Sequence, residues 1–403
     1  MNKKVVLAFS GGLDTTYCAK YLAEEKGLDV YTITVNTGGF SEKEVQDLET
    51  KAAALGVLEH KTVNIEQQFY QQGIRYLIYG NVLRNGTYPL SVSAERVFQA
   101  MAIADYVQKI DARYVAHGST GAGNDQIRFD LIFHVLSPEV EILTPVRDQK
   151  LTREQEIAYL KKFGLDLEWQ TAQYSINQGL WGTSVGGKET LTSHQALPQE
   201  AFPTAVTAKE PLDITLEFEK GELVGFNGQS FAHPLQAIKA LNALVAPYGI
   251  GRDIHVGDTI IGIKGRVGFE AAGPMLILKA HQLLEKHVLT KWQIYWKDQI
   301  ANWYGMMLHE GQYLDPVMRD MEAFLQNSQQ HVTGRVFAKV FPYRFELQGI
   351  ESPFDLMDPE VASYGEQNHL WNGNDARGFA KILAVQNKIF HQIQKKSGGA
   401  ENG

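Results

Sequence analysis

The chain has 403 residues, 44% apolar and 21% charged, the proportions of a folded protein of about two domains plus an appendage rather than a disordered one. Its 46 acidic against 38 basic side chains give a formal net charge of −8, which excludes a basic field of the kind that gathers nucleic acid or anionic membrane. The single cysteine, Cys18, excludes an internal disulfide, a Cys-rich zinc site and any mechanism that needs two thiols.

No apolar run approaches the roughly 20 residues of a membrane span, and the run Val5–Phe9 ahead of Ser10 is too short for a signal peptide. The expectation is a cytoplasmic chain with neither nucleic acid nor membrane as partner. Val5–Phe9, Val30–Val35, Arg113–Ala116 and Ile142–Val146 predict buried parallel strands, and the amphipathic stretches 13–26, 41–55, 94–110 and 152–163 predict the helices between them. Gly27, Gly56 and Gly164 stand where a left-handed cap residue is wanted, and Ser41 with Glu44 and Thr152 with Gln155 form capping boxes. Alternation of this kind over residues 1–168 predicts an α/β domain with an open, doubly wound parallel sheet, whose ligands lie beyond the carboxyl ends of the strands. Cys18 is read as a small buried residue on the inner face of the first helix.

After about residue 170 the pattern changes. "LDITLEFEKGELVGFNG" alternates like a hairpin around Lys220-Gly221, "HVGDTIIGIKGRVGF" is a second β-rich piece, and helical patterns follow at 274–286 and 291–304. Residues 169–360 are expected to form a separate α+β domain. In the tail, 361–403, Phe379, Ile382, Leu383, Val385, Ile389, Phe390 and Ile393 recur at helical spacing, giving a helix able to dock on its own chain or on a neighbour. The Gly-rich end is expected to be disordered.

The seam "FSGGLDTT" joins the first strand to the first helix. A glycine turn there gathers unpaired amides and the positive end of the helix dipole around one point, an anion site. Ser10, Thr15 and Thr16 add hydroxyls, and Asp14 is placed to reach a magnesium ion held mainly by phosphates. From the glycines alone, a tight turn with a plain helix cap explains the pattern as well. No G-x-G-x-x-G follows this strand, which disfavours a dinucleotide. Gly182 to Lys188 fits the start of a P-loop, but Glu189 stands where Ser or Thr must bind magnesium, so it is read as a decoy.

"AHGSTGAGNDQIRFD", residues 116–130, repeats the layout of strand, glycine turn and helix. Its polar residues suit a zwitterion, with Asp125 for an ammonium and Arg128 and Thr120 for carboxylates. "YPLSVSAERV" (88–97) and "YSINQGLWGTS" (174–184) are read as loops mixing hydroxyls with aromatics. The histidines show no metal-ligand spacing.

"SGGLDTT" resembles the pyrophosphate loop of the ATP pyrophosphatases, with their Rossmann-like, adenine nucleotide alpha hydrolase-like sheet. Those enzymes adenylate a carbonyl oxygen and let an amine displace AMP. Members that take ammonia from glutamine, or that thiolate, need thiols that Cys18 alone does not supply, so a free small amine is expected. With "GNDQIRFD", nearly the whole chain resembles the argininosuccinate synthase family. The resemblance implies a ligase joining citrulline to aspartate through a citrullyl-adenylate, with ATP and Mg2+. It implies ATP contacts from Ala8, Phe9, Ser10, Gly11, Gly12, Leu13, Asp14, Thr15, Thr16 and Gly118, and aspartate contacts from Thr120, Asn124 and Asp125. Citrulline contacts are implied for Tyr88, Ser93, Asn124, Arg128, Ser175 and Ser184, and catalytic roles for Asp14, Asp125 and Arg128. The family is typically a homotetramer whose C-terminal helix crosses onto a neighbour.

The chain also departs from that pattern. Gly257 and Phe269 stand where the family usually has a glutamate and a tyrosine that help to hold citrulline, with Asp258 and Glu270 adjacent as substitutes. Ala122 stands where a lysine is common, and "VNTGG" replaces "ADIGQ"-like residues near the adenine. A neutral loss explains the missing carboxylate, and so does a pocket for citrulline with an acylated, uncharged α-amine. A non-catalytic ATP-binding protein is the rival of a different class.

Overall fold

Val5 and Leu7 face one core and Val6 faces another, so the first strand is covered on both sides. The computed structural model describes residues 2–121, 123–165, 174–361 and 368–396. The longer elements of the first part are β1 (Lys4–Ala8), α1 (Leu13–Glu24), β2 (Asp29–Asn36), α2 (Glu42–Ala54), β3 (Glu59–Asn64), α3 (Ser91–Lys109), β4 (Tyr114–Ala116), α4 (Asp125–Leu136), β5 (Glu141–Leu143) and α5 (Arg153–Lys161). The five strands lie in the order β3-β2-β1-β4-β5, all parallel. Leu13, Tyr17, Cys18 and Leu22 of α1 pack with Leu160 on the Val5 side, while Ala94, Val97 and Phe98 of α3 pack on the Val6 side. Helices on both faces force the near-continuous apolar strands that the sequence shows.

The expected caps form. Gly27, Gly56 and Gly164 are left-handed at φ 59°, 73° and 71°, and both capping boxes close, Ser41 with Glu44 and Thr152 with Gln155. Cys18 is fully buried, and burial pushes its thiol far above the ordinary range. Strand β3 was not expected: "EHKTVN" is mostly polar because it lies at the sheet edge.

The rest of the larger unit, which runs to Phe354, holds two antiparallel sheets. It contains β6 (Ser175–Gly179), β7 (Gly182–Gly186), β8 (Leu212–Glu219), β9 (Glu222–Phe226), β10 (Gln229–Ser230), α6 (Pro234–Val245), β11 (Arg252–Asp258), β12 (Lys264–Glu270), α7 (Ala272–Val288), α8 (Lys291–His309), α9 (Val317–Ser328), β13 (Gly334–Phe341) and β14 (Arg344–Glu351). The sheet orders are β10-β9-β8-β13-β14 and β11-β12-β7-β6. Lys220 and Gly221, both at positive φ, turn the β8–β9 hairpin as its alternation predicts. The stretch read as a loop at 174–184 is instead the hairpin β6–β7. The decoy P-loop is strand β7, hydrogen-bonded on both sides, and so makes no phosphate cradle.

Residues 355–403 form a second unit. The single helix expected there is two, α10 (Gly373–Leu383) and α11 (Val385–Lys396), meeting at Ala384. Asn372 caps α10 in a box with Asp375. Phe379, Ile382 and Leu383 are each about two-thirds exposed or more. The Gly-rich end lies outside the described residues. Among the described residues no helix is long and apolar enough to cross a membrane.

Candidate active site

The strand order reverses between β1 and β4, which opens a crevice at their carboxyl ends. Phe9 closes the β1 end by donating its amide to the Ile33 carbonyl at 2.9 Å and accepting from Thr34 Oγ1 at 2.7 Å. Gly11 then takes a left-handed turn, φ 69°, where a Cβ would run into Leu48 Cδ2. Gly12 starts α1 with extended backbone, and no side chain caps the helix. The first-turn amides of Leu13, Asp14 and Thr15 are therefore left for an anion. Ser10 Oγ and Thr15 Oγ1 lie 3.3 Å apart beside them. The sequence alone left a plain helix cap open; the uncapped helix end removes the capping half of that reading.

Gly118, from the loop after β4, meets this turn directly. A Cβ at 118 would sit 3.1 Å from the Asp14 carbonyl carbon and 3.2 Å from Thr15 Cγ2. Behind Asp14, Glu156 is buried with Oε2 unpartnered. Burial first, and the Asp14 carboxylate second, push its carboxyl up to about 8.

The second glycine turn is pinned from behind. His117 Nε2 and Arg147 Nη1 hold the two oxygens of Asp130 at 2.9 and 2.7 Å, and Gln126 Nε2 donates to the carbonyls of Gly121 and Gly123. Thr120 is exposed at the turn, and Ala122 lies outside the described residues.

Beyond this turn a cavity of about 220 Å3 opens between α4, the start of α3 and the β11–β12 hairpin. Of the expected residues, Tyr88, Ser93, Asn124, Asp125, Arg128 and Ser184 all line it. The stretch 88–97, read as a loop, is mostly helix: Leu90 adopts a left-handed backbone, φ 60°, and starts α3 at Ser91. That uncommon conformation for a buried leucine stores local strain next to Tyr88 and Ser93. Ser175 lies outside the cavity, exposed at the start of the edge strand β6 opposite Gly186. Asn124 Oδ1 accepts from the Ile260 amide at 2.9 Å and so ties the glycine turn to the hairpin.

Asp125 is the electrostatic centre. Arg128 Nη1 donates to one oxygen at 2.7 Å and Arg96 Nε to the other at 3.2 Å. Desolvation raises its pKa, but the two guanidiniums outweigh that and hold the carboxyl below its usual range. Arg96 continues to Glu95, and Glu95 accepts from Thr37 at 2.8 Å. Arg128 is only 4% exposed; its Nε donates to the His309 carbonyl at 2.8 Å. Burial and then Arg128 drive the His309 imidazole down to about 2, so it is neutral, and its Nδ1 lies 3.2 Å from Ser93 Oγ.

A family model described as the arginosuccinate synthase N-terminal HUP domain matches residues 4–166, and one described as the arginosuccinate synthase C-terminal domain matches residues 174–390. The chain belongs to the argininosuccinate synthase family. The argininosuccinate synthase of Methanocaldococcus jannaschii is 34% identical over 399 residues, covering 98% of this chain and all of that protein. That of Xanthomonas campestris pv. campestris is 36% identical over 407 residues, again 98% of this chain and all of the relative. That of Dictyoglomus turgidum is 34% identical, covering 96% and 97%.

Within the argininosuccinate synthase frame, the departures acquire geometry. Glu270 does not substitute for the missing carboxylate: strand alternation turns it to the other face, where it binds Arg252 Nε at 3.1 Å and lines a separate cavity. Asp258 lines the main cavity but pairs with Lys264 at 2.6 Å, both largely exposed. Phe269 is 1% exposed and packs edge-on to Tyr88. In "VNTGG", Asn36 Oδ1 accepts from the amides of Gly38 and Phe40, so its side chain serves its own turn.

Sequence reasoning missed Arg96, His255, Arg266 and His309. Arg96 fell inside a stretch that was singled out, yet nothing local marked it as the second partner of Asp125. His309 lies 181 residues from Arg128 along the chain, so only the tertiary fold joins them.

Proposed function

We propose that this chain is an argininosuccinate synthase, condensing citrulline with aspartate at the expense of ATP cleaved to AMP and pyrophosphate. The observation that carries the reading is an uncapped glycine turn at the switch point with, beyond the neighbouring glycine turn, a cavity lined by Asp125 and Arg128, the former also held by Arg96. The ureido oxygen of citrulline attacks the α-phosphorus, forming the citrullyl-adenylate and releasing pyrophosphate. The amine of aspartate then adds to the ureido carbon, loses a proton and expels AMP. The ureido oxygen is a weak nucleophile, so the first step depends on alignment and on charge taken up by the loop amides more than on a base.

Within this reading, Ala8 to Thr16 and Gly118 hold the triphosphate, and Tyr88, Ser93, Asn124, Arg128 and Ser184 hold citrulline. Thr120, exposed at the glycine turn, completes the aspartate contacts, and Ser175, which lies outside the cavity, is assigned to citrulline by the resemblance alone. Asp125 orients the aspartate ammonium; a carboxylate held by two guanidiniums is a weak proton acceptor, so its role is orientation. Mg2+ would be bound by phosphate oxygens with Asp14, a hard-cation arrangement that suits one protein carboxylate. We divide the chain into an ATP-binding part to about residue 168, a synthetase part to about 360 and a tail; the gap between the matched spans 4–166 and 174–390 supports the first boundary, and the break between compact units after Phe354 supports the second, which lies inside the second matched span. A homotetramer joined through the tail is supported by the exposed Phe379, Ile382 and Leu383 on one helix, and we place the enzyme in the cytoplasm, where ATP is supplied.

The test is pyrophosphate release from ATP and Mg2+ with citrulline alone, aspartate alone and both. Sustained release only with both, and argininosuccinate formed in step with AMP, is the expected result. Bound ATP with no pyrophosphate under any of these pairings, nor with Nα-acetylcitrulline in place of citrulline, would make the chain a nucleotide-binding protein.

A further inference from the structure

Gly257 and His255 lie two residues apart on β11, on the same face. A Cβ at position 257 would sit 2.6 Å from His255 Nε2. The ring has little freedom to retreat: His255 is 5% exposed and stacks on Tyr88 at 5.3 Å and 25°. Any side chain at 257 and the His255 ring therefore compete for one place, and in this chain the ring occupies it.

His255 lines the main cavity, and its buried Nδ1 has no hydrogen-bond partner. Arg84 stands next to the cavity lining rather than in it: Nη2 donates at 3.0 Å to the carbonyl of Asp258, which does line the cavity, and Nη1 is buried without a partner. A guanidinium nitrogen only donates. The carboxylates that line the cavity are already engaged, Asp125 by two arginines and Asp258 by Lys264. A buried donor left unmatched is costly, which points to an acceptor brought by the ligand.

We propose that His255 and Arg84 recognise an oxygen at the amino-acid end of the ureido substrate, in place of the side chain that position 257 carries in the family pattern. This rests on reading the cavity as the citrulline site. The oxygen belongs to the α-carboxylate of free citrulline or to the acyl carbonyl of an Nα-acylated one; both offer the same acceptor chemistry.

The test measures kinetics and calorimetric binding with citrulline, Nα-acetylcitrulline and 4-ureidobutylamine, which lacks the carboxylate. In His255→Ala and Arg84→Gln, KM for the preferred ureido substrate is expected to rise about tenfold or more, the usual scale for losing a hydrogen bond to a charged group. KM for aspartate and ATP should stay within about twofold, which also reports an intact fold. His255→Gln should recover part of the loss, and Gly257→Ala should reproduce it by displacing the ring. Loss of 4-ureidobutylamine together with a preference for citrulline assigns the carboxylate; a preference for Nα-acetylcitrulline assigns the acyl carbonyl. A ureido-substrate KM within twofold of wild type in His255→Ala or Arg84→Gln overturns the inference while leaving the proposed reaction standing. Failure of all three compounds to bind the wild type overturns both.

Discussion

The turn after β1 and the cavity beside α4 are built from different materials. The turn is made of backbone: Gly11 at positive φ, an uncapped helix end, and Gly118 pressed against Asp14. The cavity is made of side chains that arrive from distant elements, with Asp125 held by Arg96 and Arg128, and Arg128 held by His309. A backbone site depends on local conformation and tolerates few substitutions at its glycines. A side-chain site depends on charge balance, and losing one member leaves its partners buried and unmatched.

That difference predicts the largest effect at Asp125. Asp125→Asn removes the charge that two guanidiniums share, one of them only 4% exposed. Removing one preorganised electrostatic partner at a reacting centre costs about 10² to 10³ in rate, so kcat/KM for the second step should fall by that much while citrulline-dependent adenylation survives better. Pyrophosphate burst against argininosuccinate formation separates the two, and a variant normal in both removes Asp125 from the mechanism.

Gly11→Ala should come next. Left-handed backbone costs a residue with a Cβ about 1–2 kcal/mol, and the methyl meets Leu48. The turn must shift, and displacement of an aligned group by about 1 Å costs on the order of 10² in rate. The expected signature is a raised KM for ATP and a lowered kcat, with citrulline affinity little changed. Equal loss for both substrates would mean that the turn and the cavity are not separable parts.

This contrast also explains what was legible. The parallel sheet was readable because both faces of each central strand are buried, and the turn because glycine placement is itself the signal. Tyr88, Ser93, Asn124, Asp125, Arg128 and Ser184 were reachable through resemblance, and the structure brings them to one cavity. The polar edge strand β3 escaped because edge strands need no apolar pattern. Arg96, His255 and His309 escaped because their partners are distant in the chain and no local spacing encodes them. The tail break at Ala384 escaped as well, since the apolar periodicity of α10 and α11 runs through it.

Glu156 tests the backbone region through stability rather than rate. Its carboxyl rises from 4.5 to about 8 in the folded protein, so the folded state keeps a proton that the unfolded chain releases. Stability therefore falls as pH rises from about 4.5 to about 8, and the full penalty is present above that window. Glu156→Gln removes the term. The variant should match wild type near pH 4.5 and exceed it at pH 8 by about 1–3 kcal/mol, read from denaturant midpoints. Parallel curves at both pH values would show that Glu156 ionises normally beside Asp14.

The smallest effect on activity should come from Phe269→Tyr, which adds the hydroxyl that the resemblance places at this position. Phe269 is 1% exposed, edge-on to Tyr88 at 5.5 Å and opposite Ser184 in the strand register. A hydroxyl added there is a buried polar group, and leaving one unmatched costs about 1–3 kcal/mol of stability. If this cavity is shaped for its own donors at His255 and Arg84, the extra hydroxyl has no position in it that the substrate needs. Citrulline KM should then stay within about threefold of wild type while the denaturant midpoint falls. A tenfold drop in KM would instead mean that the pocket keeps the family's arrangement with one contact missing, and that the charge pattern around Gly257 is not a redesign of the site.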